Sequence, residues 1–99
     1  MPAYIIVEVE IHNPEGYEGY KKLTGPSLVR YGGKFIVRGG QTETLEGGWE
    51  PGRMVVIEFP TKELAREWWS SPEYTPAKEI RQRNATTKMI LVEGFEEML

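Results

Sequence analysis

Residues 4–11 alternate strictly between two sides, with Ile5, Val7, Val9 and Ile11 on one and Tyr4, Ile6, Glu8 and Glu10 on the other. A period of two with β-branched enrichment predicts a strand. Asn13-Pro14-Glu15 then supplies an N-cap, a proline for the first helical position and an acid for the positive end of the helix dipole. Tyr17, Tyr20, Leu23, Thr24, Leu28 and Tyr31 follow at spacings of three and four, so this helix presents one aromatic-rich stripe to a core. Gly16, Gly19 and Gly25-Pro26 weaken it, and a kink or break is expected near Gly25.

Beyond Gly32-Gly33, residues 34–38 read as a second strand and 53–59 as a third, separated by a glycine-rich connection over 39–52 with one aromatic, Trp49. Pro60-Thr61 ends the third strand and caps a helix from Lys62 to about Trp69, whose apolar side is Leu64, Ala65, Trp68 and Trp69. Ser71-Pro72-Glu73 repeats the cap, proline, acid signature and restarts a helix through Tyr74, Ala77, Ile80 and Arg81. Residues 87–93 form the last strand, and 94–99 read as a loose tail. The order β-α-β-β-α-β over a single domain of 99 residues predicts an α+β fold. It is the ferredoxin-like sandwich, a four-stranded antiparallel sheet with helices on one face.

One layer of helices covers one face only. Ile5/Val7/Val9/Ile11, Phe35/Val37 and Val55/Ile57/Phe59 are expected beneath the helices. Tyr4, Ile6, Glu8, Glu10, Ile36, Arg38, Met54, Val56 and Glu58 are expected on the open face. At ~25 cal/mol per Å² of apolar area, leaving Ile6, Ile36, Met54 and Val56 in water forgoes several kcal/mol. A homodimer joined through that face removes the loss and lets Glu8, Glu10 and Glu58 meet Arg38 or Lys34 across the interface. A solvated face with scattered apolar residues is the competing reading.

Composition narrows the chemistry. The chain has no cysteine, one histidine and 15 acids, every one a glutamate. Disulfides, thiol nucleophiles, cysteine-ligated metals, a Ser-His-Asp triad and an EF-hand loop all lack their parts, and no metal or cofactor is expected. A net charge of −3 is the wrong sign for a nucleic-acid footprint. No apolar run approaches the roughly 20 residues of a membrane span, and the N-terminus lacks the pattern of a secretory signal. The expected location is therefore the cytoplasm, with no membrane partner.

The segments Tyr31-Gly32-Gly33-Lys34-Phe35-Ile36-Val37-Arg38-Gly39-Gly40, Leu45-Glu46-Gly47-Gly48-Trp49 and Arg53-Met54-Val55-Val56-Ile57-Glu58-Phe59-Pro60 occur in that order. They are followed by Ala65, Trp68, Ser71-Pro72-Glu73-Tyr74 and Arg81. Together they resemble a family of small bacterial proteins known as domain of unknown function 1330, over nearly the whole chain. The resemblance implies a ferredoxin-like dimeric α/β barrel. Its wider superfamily includes cofactor-independent monooxygenases, haem-dependent enzymes and muconolactone isomerases. It implies architecture more than chemistry.

The site candidates follow from side-chain chemistry. His12, between the first strand and the helix cap, is the only group suited to proton transfer near neutral pH; as a bland alternative it is a partly exposed junction residue. Arg38, followed by two glycines, suits a carboxylate or phosphate, or else a cross-strand ion pair with Glu58 or Glu8. Tyr31, Trp68 and Tyr74 carry polar handles on large apolar bodies, which fits them to line a ligand pocket or simply to fill the core. Arg81 lies seven residues after Tyr74 on the same helical face. A small anionic or aromatic metabolite held between helices and sheet by Arg38, Tyr31, Trp68, Tyr74 and Arg81 is the leading expectation, with cofactor-independent monooxygenase- or isomerase-like chemistry using His12. A non-catalytic binding or interaction module is the alternative. A third reading, a tautomerase using the amine of Pro2 after removal of Met1, conflicts with Glu8 and Glu10, which would raise that amine's pKa.

Overall fold

The computed structural model of the chain describes residues 1–95. Strands β1 (Ala3–Ile11), β2 (Lys34–Arg38), β3 (Arg53–Phe59) and β4 (Ala85–Glu93) form one sheet in the order β2-β3-β1-β4. Every neighbouring pair is antiparallel. Helices α1 (Pro14–Leu28), α2 (Lys62–Trp69) and α3 (Thr75–Asn84) complete the ferredoxin-like α+β fold. Asn13 caps α1 by accepting from the Gly16 N–H at 3.3 Å, and Thr61 caps α2 by accepting from Leu64 at 3.1 Å.

The inward parity of β1 and β3 is as the alternation predicts. Ile5, Val7, Val9, Val55, Ile57 and Phe59 are buried under the helices. Trp68 packs between Phe59 and Tyr74, with ring centroids 5.5 and 3.9 Å away, and its indole N–H donates to the Ser27 hydroxyl at 3.0 Å. Tyr17, Tyr20, Thr24, Ser27, Leu28 and Tyr31 make the buried stripe of the first helix and the short 3₁₀ turn after it. Leu23, expected in that stripe, is 42% exposed.

Two local expectations change. The first helix does not break at Gly25-Pro26; it continues to Leu28. The carbonyl that Pro26 leaves without a donor belongs to Lys22, which is exposed, so water can satisfy it. The glycines early in α1 serve packing: a Cβ at Gly16 would collide with the Asn84 side chain of α3, so glycine is what lets the two helices approach. Ser71 acts as predicted in accepting from the Tyr74 N–H at 3.1 Å, although the regular helix begins at Thr75. Of the tail, Gly94 donates its N–H to the Pro2 carbonyl at 2.7 Å, and positions 96–99 lie outside the described residues.

The third change alters the functional picture. A register shift between Phe35 and Val37 bulges β2, so that Val37 pairs with Val56 and Arg38 with Val55. Val55 lies on the helix-covered side, so Arg38 turns there instead of onto the open face where simple alternation puts it. Its guanidinium sits 4.2 Å from the Phe35 ring centroid, and Nη2 donates to the Lys21 carbonyl of α1 at 3.4 Å. Val37 takes the opposite change and joins the open face.

Candidate functional site

The helix-covered side of β4 carries Ala85, Thr87, Met89 and Leu91 at alternate positions. Between this strand and helices α2 and α3 lies a cleft of about 410 Å³. Ala65, Trp69, Arg81, Thr87, Met89 and Leu91 are among its walls. That volume is near the lower end of the roughly 300–1,000 Å³ of small-molecule sites.

Arg81 is the unusual wall residue. Only 5% of it is exposed, and its Nε–H donates to the Tyr74 hydroxyl at 3.3 Å. Tyr74 is fully buried and meets the Tyr20 hydroxyl at 2.9 Å. Burial, with Tyr74 beside it, pushes the Tyr20 phenol well above the ordinary tyrosine range. Tyr20 is therefore neutral and supplies no countercharge. Among the described residues no carboxylate lies within ion-pair distance of Arg81. Thr87 adds a second anomaly, since its hydroxyl oxygen is buried and has no partner among the described residues.

The other candidates occupy three further places. Tyr31 donates its hydroxyl to Glu73 at 2.7 Å, and Arg30 grips the other carboxylate oxygen at 2.8 Å, tying the turn after α1 to the start of α3. The Tyr31 hydrogen bond, with Arg30 and a backbone donor, holds Glu73 below the ordinary carboxylate range. Trp68 is fully buried in the core, one ring away from the cleft residue Arg81 through Tyr74. Arg38 stands at the far edge of the sheet with Tyr17, Tyr20 and Arg53, around a void of about 20 Å³. His12 is exposed, and its Nε2 lies 2.6 Å from the Thr86 hydroxyl. Thr86 pairs with Glu10, on the face opposite the cleft. The structure thus brings Tyr74 and Arg81 together, with Trp68 packed behind them, and does not bring Arg38, Tyr31 or His12 to the same cavity.

Thr87, Met89 and Leu91 are cleft residues that the sequence pattern does not single out, and Trp69 joins them from the apolar side of α2. One signal pointed to Thr87: it is the polar residue at an inward position of an otherwise apolar strand face. Arg53 is its counterpart on β3, and its Nε is likewise buried without a partner among the described residues.

The sequence model of DUF1330, a domain of unknown function, matches residues 2–95. The chain belongs to this family. No functionally curated protein matches the DUF1330 chain. Among solved structures it is similar to a protein of unknown function from Rhodopseudomonas palustris, at 22% identity and a TM-score of 0.76, covering 97% of this chain and 84% of that one. A dimeric ferredoxin-like protein from Jannaschia sp. CCS1 is similar at 13% identity and a TM-score of 0.73, covering 95% and 100%. SnoaB, a cofactor-independent oxygenase from Streptomyces nogalater, is similar at 15% identity and a TM-score of 0.66, covering 98% and 96%. At these identities the likeness is one of fold. Among the described residues no helix of the DUF1330 chain is long and apolar enough to cross a membrane.

Proposed function

We propose that the chain works as one ferredoxin-like domain that pairs with a second copy through its open sheet face and binds a small metabolite in the cleft of each subunit. The observation that carries the ligand reading is Arg81, a nearly buried guanidinium at the cleft wall with no carboxylate partner among the described residues. An isolated buried charge is costly, and an anionic ligand offsets that cost.

The dimer reading rests on the sheet register. Val37, Val56, Ile6 and Ile90 lie in one row across all four strands on the open face. Val37 is 38% and Ile90 60% exposed. Charged residues flank the row, with Lys34 and Glu58 paired at 3.3 Å on one side and Lys88 beside Glu8 on the other. An apolar stripe between charged margins suits a two-fold interface. Because Glu58 pairs within its own chain and Arg38 faces the helices, the cross-interface pairs expected from alternation give way to apolar contact.

Turnover of the bound molecule is the second reading, favoured by the likeness to a cofactor-independent oxygenase. The cleft walls include no carboxylate or imidazole among the described residues, which supports binding over proton-transfer chemistry by the protein. Native mass spectrometry of protein taken directly from cells tests both halves. The expected species is a two-chain complex carrying small-molecule adducts that the Arg81→Gln variant loses. A single-chain species overturns the dimer, and a two-chain species free of adducts before and after exposure to a metabolite extract overturns the ligand.

A further inference from the structure

We infer that the cleft takes a monocarboxylate with an apolar body, its head group held by Arg81 and Thr87 and its body laid along Met89 and Leu91. This rests on the cleft reading above and gives that site its substrate class.

The charge count sets the head group. Arg81 is the one cation nine-tenths buried in the cleft wall; Arg66, the other arginine lining it, is exposed. One buried positive charge balances a monoanion, whereas a phosphate dianion would leave a charge uncompensated in an apolar cleft. Tyr74 holds Arg81 by Nε alone, which leaves both Nη groups without a protein partner among the described residues. Two parallel N–H donors in a plane match the two oxygens of a carboxylate.

Thr87 supplies a further donor and acceptor. It lines the same cleft, and its hydroxyl is without a partner among the described residues, so a change of rotamer presents that group to a ligand at no cost in existing hydrogen bonds. The remaining wall decides the body. Apart from the exposed Arg66 and Gln82 it is apolar, Ala65, Met89 and Leu91 included, and Trp69 stands at 43% exposure with the Lys78 ammonium 3.7 Å from its ring centroid. A cleft of about 410 Å³ admits a short acyl chain or a single substituted ring. Thr87 is accordingly the specificity-determining residue, and Tyr74, which acts through Arg81, is a positioning residue.

Titration of protein carrying labelled methionine methyl groups tests this, with the Met89 methyl as the reporter. The probes are hexanoate and phenylacetate, their neutral amides hexanamide and phenylacetamide, and inorganic phosphate. Both acids are expected to move the Met89 signal and to bind at least tenfold tighter than their amides. Arg81→Gln is expected to erase that advantage, Arg81→Lys to restore part of it, and Thr87→Val to reduce it severalfold. Equal affinity for acid and amide overturns the carboxylate assignment while leaving the cleft in place, as does phosphate binding tighter than either acid. An acid preference that survives Arg81→Gln overturns the assignment of the head group. If Arg81→Gln does not fold, Thr87→Val and the acid–amide comparison on the unaltered protein decide the matter. A Met89 signal unmoved by every probe at millimolar concentration overturns the cleft reading itself.

Discussion

Arg53 and Thr87 stand on either side of Val9, one on each strand neighbouring β1, and each carries a buried polar atom with no partner among the described residues. They share the helix-covered face of the sheet and one row across it. Two unmet polar groups in one row mark that end of the core as less optimised for stability than the end around Phe59 and Trp68.

Replacing the Thr87 hydroxyl by a methyl group removes an unpaired polar atom and adds apolar volume of the same shape. Thr87→Val should therefore leave the unfolding free energy measured in urea unchanged or raise it, by up to about 1 kcal/mol. A loss of stability would show that the hydroxyl has a partner in solution.

Tyr74→Phe does the reverse. It leaves the Tyr20 hydroxyl and the Arg81 Nε–H unpaired in the interior, with the ring packing against Trp68 intact. The expected cost is about 1–3 kcal/mol in equilibrium unfolding, with little change in far-ultraviolet circular dichroism.

Glu73 contributes to the acid limb. The Tyr31 hydroxyl, foremost, and Arg30 hold its carboxyl below its ordinary value of 4.5. A depressed carboxyl pKa contributes stability that is present above the unfolded value and is lost as pH falls through the folded one. The stability difference between the unaltered protein and Glu73→Gln should thus be greatest near neutrality and shrink below pH 4.5. Thermal melts across that window measure it, and a difference that does not vary with pH would break the assignment.

The connection over 39–52 is tied at both ends, with the Gly39 N–H donating to the Met54 carbonyl at 2.7 Å at its start and Glu8 holding its close. Glu8 accepts from the Gly52 N–H at 3.0 Å and from the Trp49 indole at 3.3 Å. The Gly52 N–H is the main cause of the depressed Glu8 pKa, followed by Trp49. Fluorine-labelled tryptophan should report a Trp49 shift on acidification with its midpoint below 4.5, and Glu8→Gln should abolish that step.

Much of this was readable in the chain itself, and the reasons are local. The N-cap residues Asn13 and Thr61 each act within three residues, and the alternation of β1 is set by the period of the strand. Arg38 was misplaced because strand parity assumes a regular ladder, and the bulge at residues 35–37 depends on how β3 pairs with β2 across a long connection. The contact of Trp68 with Ser27, 41 positions away, left no local mark. Arg81 was visible as a candidate because it follows Tyr74 by seven residues on one helical face. That it pairs with no carboxylate among the described residues is a property of the packed interior, which spacing along the chain does not record.

The bulge in β2 also bears on how copies of this chain can meet. β2 is an edge strand, and an edge with an even run of free N–H and C=O groups invites a strand from another molecule. Here one unpaired residue interrupts the ladder between Phe35 and Val37, and Lys34 and Arg38 close its two ends with charge. Such an edge offers no continuous template for an added strand, which disfavours sheet extension and open-ended fibres on this side. The same inserted residue moves Val37 into the apolar row, so the irregularity that closes the edge also widens the face.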